Sequence, residues 1–166
     1  GKADYRELVY TIIRNIFIAL LISFLIIILK PILIFNLGQI FETSIETKKL
    51  INDYISIRVF SAPAELLGYV IVGFYLGIQR TLISSLFIII LSSLNIIFSI
   101  YFVKKLNLDV TGVALGTLLA SYLTVVFFLI YTYYFIIKRF KVIPRLNIKR
   151  VLNYKKIFKL LNINFD

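Results

Sequence analysis

The chain has 166 residues, of which 60% are hydrophobic and 16% charged, whereas a soluble domain is about half apolar and a quarter charged. So much apolar surface cannot be hidden in a water-soluble core of this size, which argues against a soluble globule. The net charge of +11 would suit a nucleic-acid ligand, but most of the basic residues lie outside the apolar runs. There they report membrane topology, and no nucleic-acid partner is expected.

The chain has no Cys, no His and no Met. Disulfides and thiolate metal sites are therefore excluded, and the commonest general base is missing. The missing Met leads us to expect that the natural N-terminus lies upstream.

A spanning helix needs about 20 apolar residues, and four stretches supply them. The first covers about 11–36 and carries Lys30-Pro31 near its outer end, where the lysine can snorkel and the proline can kink the helix. The second covers about 57–79. Glu65 is its only acid and is placed near the outer end, and Pro63 marks a bend or a helix start. The third (about 81–103) and fourth (about 110–137) carry no charge. Many residues are β-branched, but open sheets cannot satisfy their edges in lipid, so the fold class is all-α: a polytopic bundle of four transmembrane helices. The turn Gln79-Arg80-Thr81 makes spans two and three antiparallel neighbours. The polar segment 37–54 has room for a short surface helix. Residues 1–137 form the transmembrane unit, and 138–166 a basic linker whose stretch 138–159 has nine Lys or Arg and no acid.

Four spans put both ends on one face. That face carries 13 basic residues against five on the other, so both ends are expected in the cytoplasm of a bacterial inner membrane.

No nucleophile–base pair, phosphate loop or metal-ligand cluster is present, and no enzyme or cofactor is expected. The informative residues are polar ones inside the spans, which face other helices or water. Ser85, Ser92, Asn95 and Ser99 fall on one face of span three. Thr117, Ser121 and Thr124 share a face of span four, with Gly112, Ala114, Gly116 and Ala120 nearby to permit close packing. Gly73-Phe-Tyr-Leu-Gly77 in span two is a GxxxG match that suggests packing. Each polar stripe reads either as interhelical packing or as a cavity wall. Asn95 favours the cavity, because a mid-span amide needs polar partners.

These residues also carry a resemblance. Tyr54-Ile-Ser-Ile-Arg58-Val-Phe-Ser-Ala-Pro63-Ala, followed by Gly73-Phe-Tyr-Leu-Gly77-Ile-Gln79, resembles the fourth helix of the multidrug and toxic compound extrusion (MATE) transporters, most closely the bacterial DNA-damage-inducible subfamily. Asn95-Ile-Ile-Phe-Ser-Ile-Tyr-Phe-Val103 and Val110-Thr-Gly112-Val-Ala114-Leu-Gly116-Thr117 resemble its fifth helix and the start of its sixth. Leu161-Asn162-Ile-Asn164-Phe-Asp166 resembles the approach to helix seven.

The resemblance implies a fragment of a twelve-helix, two-lobed fold, namely helices three to six of the N-terminal lobe. It implies efflux of organic, often cationic, small molecules in exchange for Na⁺ or H⁺. The partners are then the lipid bilayer, the substrate and the missing remainder of the transporter, without which transport is not expected.

The resemblance also implies that Asn95 and Thr117 line the N-lobe cavity. Ser99 stands where many family members have an acid, so the usual coupling charge is absent there. Glu65, Ser92 and Ser121 are further cavity or packing candidates. Two alternatives are a lipid-linked saccharide flippase of the same superfamily, favoured by a cation-lined cavity, and a non-transporting four-helix membrane protein.

Overall fold

The computed structural model describes residues 5–40 and 44–140. Among them lie six α-helices: α1 (Tyr5–Ile28), α2 (Lys30–Ile40), α3 (Ile45–Arg58), α4 (Ala62–Gly77), α5 (Thr81–Leu106) and α6 (Asp109–Phe140). Only a 3₁₀ turn, Val59–Ser61, separates α3 from α4, so Ile45–Gly77 forms one nearly continuous helical run. Among the described residues, that run, α1, α5 and α6 are the four helical stretches long and apolar enough to cross a membrane.

Two boundaries differ from the sequence expectation. The first apolar stretch is one run in sequence, yet the helix breaks at Leu29 and restarts as α2. Pro31 sits in the first turn of α2, where its missing N–H costs least and its ring blocks a straight continuation of α1. The second span begins earlier than residue 57. Ser44 caps α3 by accepting from the Thr47 N–H at 3.3 Å, and the polar segment continues directly into the apolar one. At 1.5 Å per residue the 33-residue run is about 50 Å long, far more than the roughly 30 Å hydrocarbon layer. Its polar first half therefore projects beyond the layer. About 20 residues of helix precede Glu65, but most of them belong to this projecting half, so its place within the apolar half is unchanged. Pro63 lies in the first turn of α4.

The α4–α5 hairpin closes through Gln79, which takes a left-handed conformation (φ 58°). Its N–H bonds to Leu76 O at 3.0 Å, and the Arg80 N–H bonds to Tyr75 O at 2.7 Å. The Arg80 guanidinium lies 5.8 Å from the Phe135 ring centroid, which ties the hairpin to α6. At the other end of α5, Asn107 adopts the left-handed cap conformation (φ 53°), which asparagine tolerates better than most residues.

The core sits where α4, α5 and the hairpin-end half of α6 meet. Ile71, Tyr75, Phe87, Val125 and Phe128 are buried there, and the Phe87 and Phe128 rings pack edge to face at 4.9 Å. The Tyr75 hydroxyl and Thr132 Oγ1 are 3.1 Å apart and satisfy each other in this apolar setting. α1 packs on α4 and reaches α6 at its start, where Tyr5 stacks on Phe140 at 4.6 Å. Arg14, in the middle of α1, is buried and donates to Glu7 Oε1 at 2.9 Å, so this positive charge is neutralised locally.

Small residues decide which helices approach closely. A Cβ on Gly116 would sit 2.6 Å from the Ser99 nitrogen, and one on Gly112 would sit 3.1 Å from the backbone of Phe102 and Val103. The pair Gly112/Gly116, spaced by four, is thus the seam along which α6 meets α5. The GxxxG match at Gly73 and Gly77 behaves differently. Among the described residues nothing comes within 4 Å of a Cβ built at either position. Both glycines line an open groove between α1 and α4, together with Thr11 and Asn15. The packing suggested by that motif is not made among the described residues.

Candidate functional site

α4, α5 and α6 frame a partly open cavity of about 350 Å³. Its wall includes Arg58 from the end of α3, Glu65, Gly68 and Val72 from α4, Leu91 and Asn95 from α5, and Thr117 and Ser121 from α6. The spacing explains why these side chains converge. Glu65, Gly68 and Val72 follow one another at three and four residues, and Thr117, Ser121 and Val125 at four and four, and such positions share a helix face.

The polar groups gather at the end of the cavity far from the hairpin. At 1.5 Å per residue, Glu65 lies about 18 Å along α4 from Gly77, and Asn95 about 21 Å along α5 from Thr81. The hairpin turn is short, so the two side chains stand at nearly the same depth. Towards the hairpin the wall becomes apolar through Val72, Phe87 and Val125. Phe87 seals that end: its ring would lie 2.9 Å from a Cβ on Gly68, so the glycine admits the aromatic.

Two hydrogen-bonded groups occupy the polar end. In the first, Asn95 Nδ2 donates to Thr117 Oγ1 at 2.9 Å, and Ser99 Oγ donates to Asn95 Oδ1 at 3.3 Å. The Thr117 hydroxyl donates to Val113 O at 3.0 Å, so its oxygen is the acceptor for Asn95. This group joins α5 to α6 above the Gly116 seam. In the second, the Arg58 guanidinium bonds to the Glu65 carboxylate and to Ser61 Oγ. Ser61 Oγ also lies 3.2 Å from Glu65 Oε1 and 2.6 Å from the Arg58 carbonyl. The three residues fall at i, i+3 and i+7, which is one helical face.

The structure therefore brings Asn95, Ser99 and Thr117 together, with Glu65 and Ser121 on the same cavity wall. Ser92 and Ser85 do not join them and are exposed. The physical reason is that the buried face of α5 shifts along its length. Near the hairpin, Ile83, Ser84 and Phe87 are buried, and Ser84 Oγ donates to Val72 O of α4 at 3.1 Å. Farther along, Asn95 and Ser99 turn to α6. Thr124 is buried, and its hydroxyl has no hydrogen-bond partner among the described residues.

Arg58 and Ser61 were not singled out from sequence as cavity residues. The available signal was their helical spacing to Glu65, which emerges only once α3 and α4 are recognised as one run. Among the described residues no group of His, Cys, Asp or Glu is placed to hold a metal ion. The basic residues from 141 onwards and the segment 161–166 lie outside the described residues.

Comparison with known proteins adds independent information. The MatE family profile matches residues 1–101. The chain is 29% identical over 131 residues to "Multidrug export protein MepA" of Staphylococcus haemolyticus (strain JCSC1435), covering 79% of this chain and 29% of that protein. It is likewise 29% identical over 124 residues to "DNA damage-inducible protein F" of Escherichia coli (strain K12), covering 75% of this chain and 27% of that protein. The chain thus spans less than a third of the length of either relative. No solved structure matches the chain.

Proposed function

Because this chain belongs to the MatE family of multidrug and toxic compound extrusion transporters, we propose that its four spans form part of the N-terminal lobe of a twelve-helix antiporter, as helices three to six. In this reading the cavity among α4, α5 and α6 is a solute chamber, and Asn95, Ser99 and Thr117 line it. The solutes are organic cations exported against Na⁺ or H⁺. The observation that carries the reading is the Asn95–Thr117 hydrogen bond, which sets two polar side chains from different spans into the wall of one cavity. Both ends of the chain face the cytoplasm of a bacterial inner membrane, as its basic residues suggest. The DNA-damage-inducible subfamily remains our assignment within the family.

Alternating access requires two repeats rocking about a midplane site. Four spans supply part of one lobe, so the remaining helices are the necessary partner, and this chain alone is expected to bind solute without moving it. The saccharide flippase alternative calls for a cation-lined cavity. Here the one basic residue in the wall, Arg58, is neutralised by Glu65, which favours the efflux reading.

The test is ethidium binding to the purified chain in lipid nanodiscs, followed by fluorescence anisotropy. Saturable binding that excess tetraphenylphosphonium displaces is expected, with no ethidium efflux from vesicles containing this chain alone. Linear uptake indistinguishable from that of empty nanodiscs would contradict the proposal.

A further inference from the structure

We propose that Glu65 is the carboxylate by which the cavity holds a monovalent organic cation, and that Arg58 is the internal cation that occupies Glu65 while the cavity is empty. This deepens the solute-chamber reading and rests on it.

Among the residues lining the cavity, Glu65 is the sole acid and Arg58 the sole base, and they pair with each other. A carboxylate at this depth is tolerated only when compensated, because an unpaired charge in a poorly hydrated setting is costly. A cation entering an otherwise neutral cavity meets the same difficulty. Exchange solves both: the incoming cation takes over Glu65 as Arg58 lets go, and the carboxylate is never left alone.

The positions suit such an exchange. Arg58 lies seven residues before Glu65, which is about 10 Å nearer the far end of the helix. Its long stem allows the guanidinium to withdraw towards the surface. Ser61, which already binds it, offers a hydroxyl on the way out. The ion pair is also only partly covered, with side-chain exposures of 27% for Arg58 and 30% for Glu65, so a solute in the cavity can reach both.

The remaining wall fits an organic cation better than a bare metal ion. Asn95 Oδ1 accepts one hydrogen bond from Ser99, and Thr117 Oγ1 accepts one from Asn95. Each retains a free lone pair at the depth of Glu65. Beyond them lie Val72, Leu91 and Val125 and the aromatic Phe87, suited to the apolar body of a solute. A volume of about 350 Å³ falls within the range of small-molecule pockets.

The experiment again uses ethidium and the full chain in nanodiscs, with helical circular dichroism and monodispersity confirming each variant. Glu65→Gln is expected to weaken ethidium about tenfold or more, the scale of one lost charged hydrogen bond. Arg58→Gln is expected to tighten it several-fold by removing the competitor. The double variant should bind like Glu65→Gln, and Glu65→Asp, which keeps the charge, should bind within a few-fold of wild type. Wild-type affinity in Glu65→Gln, or weakened binding in Arg58→Gln, overturns the proposal. If Glu65→Gln does not fold, the Arg58→Gln result decides. Should Asn95→Leu lose ethidium while Glu65→Gln keeps it, the solute chamber stands and the role of Glu65 falls. If wild type shows no saturable binding, both fall.

Discussion

Replacing Gly116 with valine is expected to force α5 and α6 apart and to destabilise the bundle more than any other single change at the site. A Cβ at this position would lie 2.6 Å from both the nitrogen and Oγ of Ser99, and 2.8 Å from its Cα. Because two of these atoms are backbone, no rotamer change relieves the clash, and a whole helix must move. Overpacking of this kind costs about 1–3 kcal/mol or more, and without a strong hydrophobic force between helices in lipid, close packing is much of what holds them together. In detergent, the apparent melting temperature followed by circular dichroism should fall by roughly 5 °C or more. Gly73→Ala is the matched control. It lies in an apolar helix with nothing within 4 Å of the new Cβ, so its melting temperature should not fall. Equal losses in the two variants would mean that the close approach of Gly116 to Ser99 is not what holds α5 to α6, since both substitutions raise helix propensity.

Asn95→Leu should spare the fold and remove most of the solute affinity. The amide bridges two helices, donating to Thr117 and accepting from Ser99. Its loss leaves no buried group stranded: Thr117 keeps its bond to Val113 O, and Ser99 can turn to a carbonyl of its own helix. Measured interhelical hydrogen bonds in membranes average about 0.6 kcal/mol, so a small change in melting temperature is expected. Ethidium binding should weaken about tenfold, because an acceptor is replaced by a branched alkyl group that also fills part of the cavity. A large drop in stability with unchanged affinity in the folded fraction would assign Asn95 to packing alone.

The number of spans was legible because it depends only on long apolar runs. Their ends were less legible, since hydropathy senses the thickness of the membrane and not the length of a helix. That is why the run Ile45–Gly77 starts well before residue 57. The meeting of Asn95 and Thr117 was legible from helical spacing and from the family resemblance together. Ser92, on the same nominal stripe, departs because the buried face of α5 rotates from α4 towards α6, which a one-dimensional period cannot express. The two GxxxG spacings illustrate the same limit. Gly112/Gly116 meets a neighbour and Gly73/Gly77 opens on a groove, and nothing in the spacing itself distinguishes them.

Whether water and solute reach the chamber can be read with a single reporter, since the chain has no native cysteine. Leu91 lines the cavity about one turn from Asn95, whereas Ile89, at nearly the same depth of α5, is 59% exposed on another face. In nanodiscs, a small charged methanethiosulfonate reagent should label Leu91→Cys readily and Ile89→Cys poorly, because lipid excludes the reagent from the outer face. Saturating ethidium should slow labelling at Leu91→Cys several-fold. Equal rates at the two positions, or a rate at Leu91→Cys that ethidium leaves unchanged, would contradict a solute chamber among α4, α5 and α6.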